Sequence, residues 1–274
     1  MFSDAITIVA SFSGKLFSLR RLIINFIRRD LATRYFGSFL GILWAVLHPL
    51  VLLVSYTFIF SILFRSGVTE GRSSEPFVLF LFAGLLPWLY FQDTVQRSST
   101  ALVENSNLIR RTVFPSEILP VVVAGSNVVT PLIGFGLFLV VLYIFHGLTL
   151  HLFIIPLLWV LMIAWALGFA WLMAALTVFF RDISQILIVA LILWFWFTPI
   201  FYSLEQVEHR LPIISFFLKI NPMTYIVLGY QDLLINHRWP ELWMLVALTG
   251  FSASSLILGG VVFRVLKRDF VDAL

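Results

Sequence analysis

The chain has no cysteine in 274 residues, which excludes disulfides, thiolate chemistry and cysteine-ligated metals. Charge is nearly as scarce. Only 12% of residues are Asp, Glu, Lys or Arg, about half the share of a soluble chain. With 61% hydrophobic residues and a mean hydropathy of +1.02, the surplus apolar surface has to face lipid. The N-terminus lacks a short apolar core with a small-residue cleavage site, so no removable signal peptide is expected. No phosphate-cradling glycine-rich loop occurs, so the chain is not expected to bind ATP by itself. Acid is missing where an ion-coupled carrier needs it. All 14 acidic residues lie outside the apolar segments or at their edges, with Asp93, Glu117 and Glu241 the edge cases. A proton or sodium carrier places such a group near mid-membrane to bind and release its ion.

What is present is a set of six apolar segments: Phe39–Phe64, Pro76–Gln92, Ile118–Phe145, Leu152–Phe180, Gln185–Ser203 and Leu242–Phe263. Each has about 17 or more residues with few or no charges, the length a helix needs to cross hydrocarbon. Lys and Arg set the orientation. With the N-terminus inside, the inner segments carry 13 of them and the outer segments five, a clear positive-inside excess. Both termini are therefore expected in the cytoplasm. The pI of 9.6 reflects these flanking cations, and no nucleic-acid partner is expected.

Two further segments are half apolar. Leu16 to Tyr35 is amphipathic, with Leu16, Leu19, Ile23, Ile27 and Leu31 at helical spacing and Arg20, Arg21, Arg28 and Arg29 on the polar side. Such a helix lies in the headgroup plane with its arginines on anionic phosphates. Leu211 to Ile235 is apolar enough to span, but Lys219, Asn221 and Pro222 cut it into two short pieces. The reading is two re-entrant helices in the outer leaflet, hinged at Asn221-Pro222, their backbone covered by protein or facing water. The expected fold is thus all-α integral membrane: six transmembrane helices, an N-terminal amphipathic interfacial helix and a broken re-entrant outer segment. It forms one membrane domain over residues 1–274, divided at 1–36, 37–203, 204–241 and 242–274.

Candidate functional residues fall into three groups. Aromatics concentrate in the first span (Trp44, Tyr56, Phe58, Phe60) and the fifth (Trp194, Phe195, Trp196, Phe197, Phe201, Tyr202). Ring faces stack on sugar C–H faces without fixed register, so Tyr56, Phe60, Trp194, Trp196 and Tyr202 are the expected substrate path. Single aromatics of this kind also serve as ordinary lipid-facing bulk and interfacial anchors. The segment Arg97–Glu117 is longer than two adjacent spans need, and its mixture of Asn105, Asn107, Arg110 and Arg111 with Leu108, Ile109 and Phe114 suits a short helix docking on a soluble partner. Glu205, Glu208 and His209 at an outer edge offer a weak metal or acid/base site, against which stands a plain solvated charge cluster.

Three stretches, in order, carry a resemblance. They are RDLATRY-x-x-S-x-LG-x-LW-x-x-x-x-P from Arg29 to Pro49, N-LIRR-x-x-FP-x-E-x-LP from Asn107 to Pro120, and NPMTYIVLGYQDLL from Asn221 to Leu234. Together they resemble the membrane permease of ABC exporters for bacterial cell-surface polysaccharides. The resemblance implies a homodimer in the bacterial inner membrane, paired with two copies of a separate ATP-binding cassette subunit that binds the ATP. The permease itself then needs no cofactor and is a transport subunit, not an enzyme. The resemblance also implies that the helix Asn105–Phe114 couples to the ATPase and that the re-entrant helices, with Asn221, Pro222 and Tyr225, gate the outer exit. The expected cargo is a lipid-linked O-antigen-type polysaccharide, with teichoic acid or capsule as alternatives. A stand-alone lipid-linked sugar flippase or a membrane glycosyltransferase or polymerase is the alternative of another class.

Overall fold

The computed structural model describes residues 14, 16–35, 40–41, 43–58, 77–111, 114–147 and 150–274, and among them it is helical with no strand. Phe60 and residues 59–76 lie outside the described residues. The helices are α1 (Arg20–Tyr35), α2 (Leu43–Thr57), α3 (Phe77–Glu104), α4 (Ser106–Arg111), α5 (Ile118–Asn127), α6 (Val129–His146) and α7 (Ile155–Phe179). They continue as α8 (Ile183–Trp196), α9 (Leu204–Arg210), α10 (Pro212–Ile220), α11 (Pro222–Leu234), α12 (Leu242–Leu266) and α13 (Phe270–Ala273). The end of the bundle that carries α4 and α13 is called the near end, the opposite one the far end.

Among the described residues four apolar helical stretches are long enough to cross a membrane by themselves: Phe77–Glu104, Ile118–Ile144, Leu150–Phe179 and Leu242–Ala273. The chain is thus a multi-pass membrane protein. The described part of the first apolar segment forms α2, and the fifth forms the short helix α8. At 14 residues, α8 is about 21 Å long, well under the ~30 Å of hydrocarbon, because the chain turns after Trp196. Conversely, the second segment does not stop at Gln92. Its helix runs on to Glu104.

The centre of the bundle is α3. Of its apolar window 78% is buried, against 28–39% for the other three long stretches, and it packs on α5, α6, α7, α8 and α11. Trp88, Tyr90, Phe82 and Phe91 of this helix are among the largest fully buried side chains. The most extensive helix pair is α7 with α12. A Cβ on Gly259 would sit 2.0 Å from the carbonyl oxygen of Gly168, and one on Gly168 2.3 Å from Ser255. Only glycine permits that approach. Ser252 and Ser255 of α12 then donate across it to the carbonyls of Leu161 (2.8 Å) and Trp165 (3.0 Å). A second, smaller core at the near end joins Ala101, Leu102, Ile109, Trp171, Phe263 and Phe270.

The amphipathic helix α1 runs beside α5. Phe26 meets Phe114 at the start of this stretch (centroids 5.5 Å apart), Ile27 covers Gly125, and the Tyr35 hydroxyl reaches that of Thr130 at 2.8 Å. Its apolar face is therefore turned to protein along this length, while Arg28 and Arg29 stay exposed.

Candidate functional site

The break between α10 and α11 is built around one side chain. Helices α10 and α11 meet at Asn221 with a bend of 92°. Asn221 is the N-cap of α11, and its Oδ1 accepts from the Met223 backbone N–H at 3.0 Å. Pro222 follows at the first helical position, where its missing N–H costs nothing. The same Oδ1 accepts from the Trp194 indole at 2.8 Å, and Nδ2 donates to the Phe197 carbonyl and the Thr198 hydroxyl, both at 3.0 Å. All four hydrogen-bonding positions of the amide are used. The joint is thereby tied to the C-terminal end of α8. One turn later Tyr225 donates to the Lys219 carbonyl across the bend, and its ring stacks on Phe251 and meets Trp243 edge-on.

The expected aromatic path divides. Trp194 sits in an intramolecular cluster, its ring 5.3 Å from Phe91, 5.6 Å from Phe169 and 6.4 Å from Trp165. Trp196, two residues on, is 61% exposed and stacks on Phe201 at 5.6 Å, while the Tyr202 hydroxyl donates to its carbonyl at 2.9 Å. Tyr56 of α2 lies against Phe82 and Phe201. Trp196, Phe201 and Tyr56 thus form a connected patch between α8 and α2, and Trp194 belongs to the interior behind it.

At the near end, the Asn105 side chain donates to the Ala101 carbonyl at 2.9 Å, at the junction between α3 and α4. Asn107 and Arg110 are exposed, Leu108 is half-buried, and Ile109 is buried in the near-end core. Arg111 ends the helix. Phe114 is partly buried on that same core and on Phe26. Arg20 lies over the Phe17 ring at 4.5 Å, and Arg21 is exposed like Arg28 and Arg29. At the far end, Glu208 of the weak acidic cluster pairs with Lys219 at 2.6 Å. Among the described residues no three His, Asp or Glu side chains are grouped to hold a metal.

One polar constellation escapes a reading of the sequence. Arg97 of α3 donates through Nη2 to both Asp30 oxygens (3.0 and 3.2 Å) and through Nη1 to Asn127. Arg34 donates through Nη2 to Asp30 (3.2 Å) and Asn127 (2.9 Å), and Asn127 donates to Thr94 at 3.4 Å. Three helices, α1, α3 and α5, are joined by one carboxylate and one amide. Asp30 and Arg34 stand four apart and so share a helix face, the one visible clue. A second cross-link pairs Lys267 with the buried Glu117, whose backbone carbonyl accepts from the Trp171 indole at 3.0 Å.

The described chain is a polytopic helical bundle with a capped break between α10 and α11 and a short helix at the near end. Residues 21–235 match the model of the ABC-2 type transporter family, and the chain belongs to that family. It is 30% identical over 262 residues to the O-antigen export system permease protein RfbA of Myxococcus xanthus, covering 95% of this chain and 98% of that protein. A protein of the same name from Klebsiella pneumoniae is 29% identical over 268 residues, covering 95% and 96%.

Proposed function

We propose that this chain is the permease subunit of an ATP-driven exporter that moves a lipid-linked polysaccharide of the O-antigen type across the inner membrane. The observation that carries the reading is the similarity to O-antigen export permeases over 95% of this chain. On this reading α2 and α8 also cross the bilayer, making six spans with α3, α5–α6, α7 and α12. Their shortness is met by local thinning or tilt of neighbours, and α1 lines the cytoplasmic face. The near end is cytoplasmic, where Arg97, Arg110, Arg181 and Arg264 gather. Two copies of the chain work with two copies of an ATP-binding cassette subunit, which supplies the nucleotide site this chain lacks.

Coupling falls to α4. Its outward Asn107 and Arg110 meet the ATPase, with Leu108 at the rim, while Ile109 and Phe114 hold the helix to the permease core. A push on α4 then reaches α3 through the Asn105 junction. At the far end, α10 and α11 close the exit around Asn221. The patch of exposed Trp196 with half-buried Phe201 and Tyr56 gives sugar rings a weak, register-free surface, since stacking contacts of this kind contribute about 1–3 kcal/mol each in a loose analogue.

Deleting the gene in its host tests the reading. Surface polysaccharide should vanish and polymer should accumulate inside, and the plasmid-borne chain should restore export. Arg110→Glu combined with Asn107→Glu should reduce export at least about tenfold with unchanged membrane levels, consistent with a broken charged contact. Normal surface polysaccharide in the deletion strain would refute the function.

A further inference from the structure

Two open cavities of about 500 and 350 Å³ at the near end share Asp93 and Arg97 as lining residues and form one groove between α1, α3 and α8. Their volumes fall in the range of ligand sites. The residues that line the groove are polar or charged apart from Ile188.

Part of the lining is fixed and part is free. Asp30, Arg34 and Arg97 are locked together and to Asn127 by the bonds described above, so the groove has a rigid wall. Arg34 makes all of those bonds through Nη2, and among the described residues its Nε and Nη1 make no hydrogen bond. Asp93, Gln96 and Gln185 line the groove and make no side-chain hydrogen bond among the described residues. The free groups are thus one carboxylate acceptor, two amides that both donate and accept, and the spare donors of a guanidinium. The two arginines and two aspartates balance, so the groove carries no net charge.

This inventory selects a ligand. A phosphate offers acceptors only, and it would face the Asp93 carboxylate shared by both cavities, which has Arg34 and His48 as charge neighbours but no side-chain hydrogen bond among the described residues. A sugar ring offers several hydroxyls, each a donor and an acceptor, and needs no compensating charge. Resting on the exporter reading, we propose that this groove holds neutral sugar units of the polymer at the cytoplasmic entrance, with ring hydroxyls donating to Asp93 and exchanging bonds with Gln96, Gln185 and Arg34. The polymer then passes from a polar, hydroxyl-reading surface at the near end to the aromatic patch of Trp196 and Phe201 further along.

The sign of the effect at Asp93 tests this, because the Asp93 side chain makes no fold-holding hydrogen bond. In the host deletion strain, the readout is surface polysaccharide per cell, with membrane levels of each variant confirmed by immunoblot. Asp93→Asn should lower export a few-fold, Asp93→Ala about tenfold, as for loss of a charge-assisted hydrogen bond, and Asp93→Arg further still. Gln96→Ala with Gln185→Ala should act in the same direction, whereas Asp272→Asn, an exposed acid outside the groove, should change nothing. If Asp93→Asn and Asp93→Arg export as well as or better than the native chain, the groove takes an anion and the sugar assignment is overturned. Unchanged export in all groove variants would overturn it as well, by removing the groove from the substrate path. Failure of the native chain itself to restore polysaccharide would instead remove the exporter reading, and this inference with it.

Discussion

Helices α10 and α11 are neighbours in sequence, both apolar, and joined at a single residue, yet they occupy opposite environments. In α11, Met223, Thr224, Val227 and Leu233 are 0% exposed, and the helix packs on α3, α7 and α12. In α10, Ile213, Phe216, Phe217 and Ile220 are 55–76% exposed, and only Ser215 and Leu218 are buried. The difference shows that the two halves of the broken segment are not equivalent: α11 is part of the protein core, and α10 leaves most of its apolar side chains uncovered, the joint between them held by the Asn221 amide.

The comparison breaks most sharply at matched truncations. Leu233→Ala in α11 should cost about 2–5 kcal/mol, whereas Phe217→Ala in α10 should stay within about 0.5 kcal/mol. Thermal unfolding of the detergent-solubilised protein, followed by size-exclusion recovery, separates the two. Equal losses would mean that both halves are core.

Next in size is the joint. Asn221→Ala removes a helix cap, worth about 1 kcal/mol, and strands the Trp194 indole N–H, a further ~1–3 kcal/mol. Asn221→Asp keeps the two accepted bonds and loses the two donated ones, so its loss should be smaller. If the alanine variant unfolds at the native temperature, Asn221 does not hold the bend.

The smallest expected change sharpens the contact of α11 with α3. A Cβ at Gly84 would lie 2.8 Å from Val227 Cγ1 and 3.3 Å from Gln231 Nε2, so Gly84→Ala should cost about 1–3 kcal/mol by overpacking. Gly250→Ala, with open space around it, should be neutral. The same unfolding assay reads both, and a neutral Gly84→Ala would show that α11 can slide on α3.

Much of this arrangement was legible in the chain. The Lys219-Asn221-Pro222 interruption announces a break in an otherwise apolar run, and the break is where Asn221 caps a new helix. Among the described residues the apolar segments appear as helices or parts of helices. The helix ends are less legible. The second apolar segment ends at Gln92, where Asp93, Gln96 and Arg97 follow, but its helix continues through them to Glu104. Arg97 finds its partners at Asp30 and Asn127, 67 and 30 residues away, and local hydropathy carries no sign of charges that distant partners will satisfy. The aromatic set was half legible for a similar reason. Trp194 and Trp196 look alike in sequence, but two positions apart on α8 they point to nearly opposite sides of the helix, one packed against the core and the other exposed.

Composition and pattern alone determined that this is a multi-pass helical membrane protein: apolar runs free of charge have nowhere to go but lipid or a lipid-bound core. The three motifs, in order, were enough to indicate an exporter permease. Only the tertiary structure decided which apolar faces meet protein, because hydropathy measures aversion to water and says nothing about whether lipid or another helix replaces it. That choice, made by the close approach of α7 and α12 and the burial of α3, put α11 in the core, left α10 outside, and opened the polar groove beside Asp93.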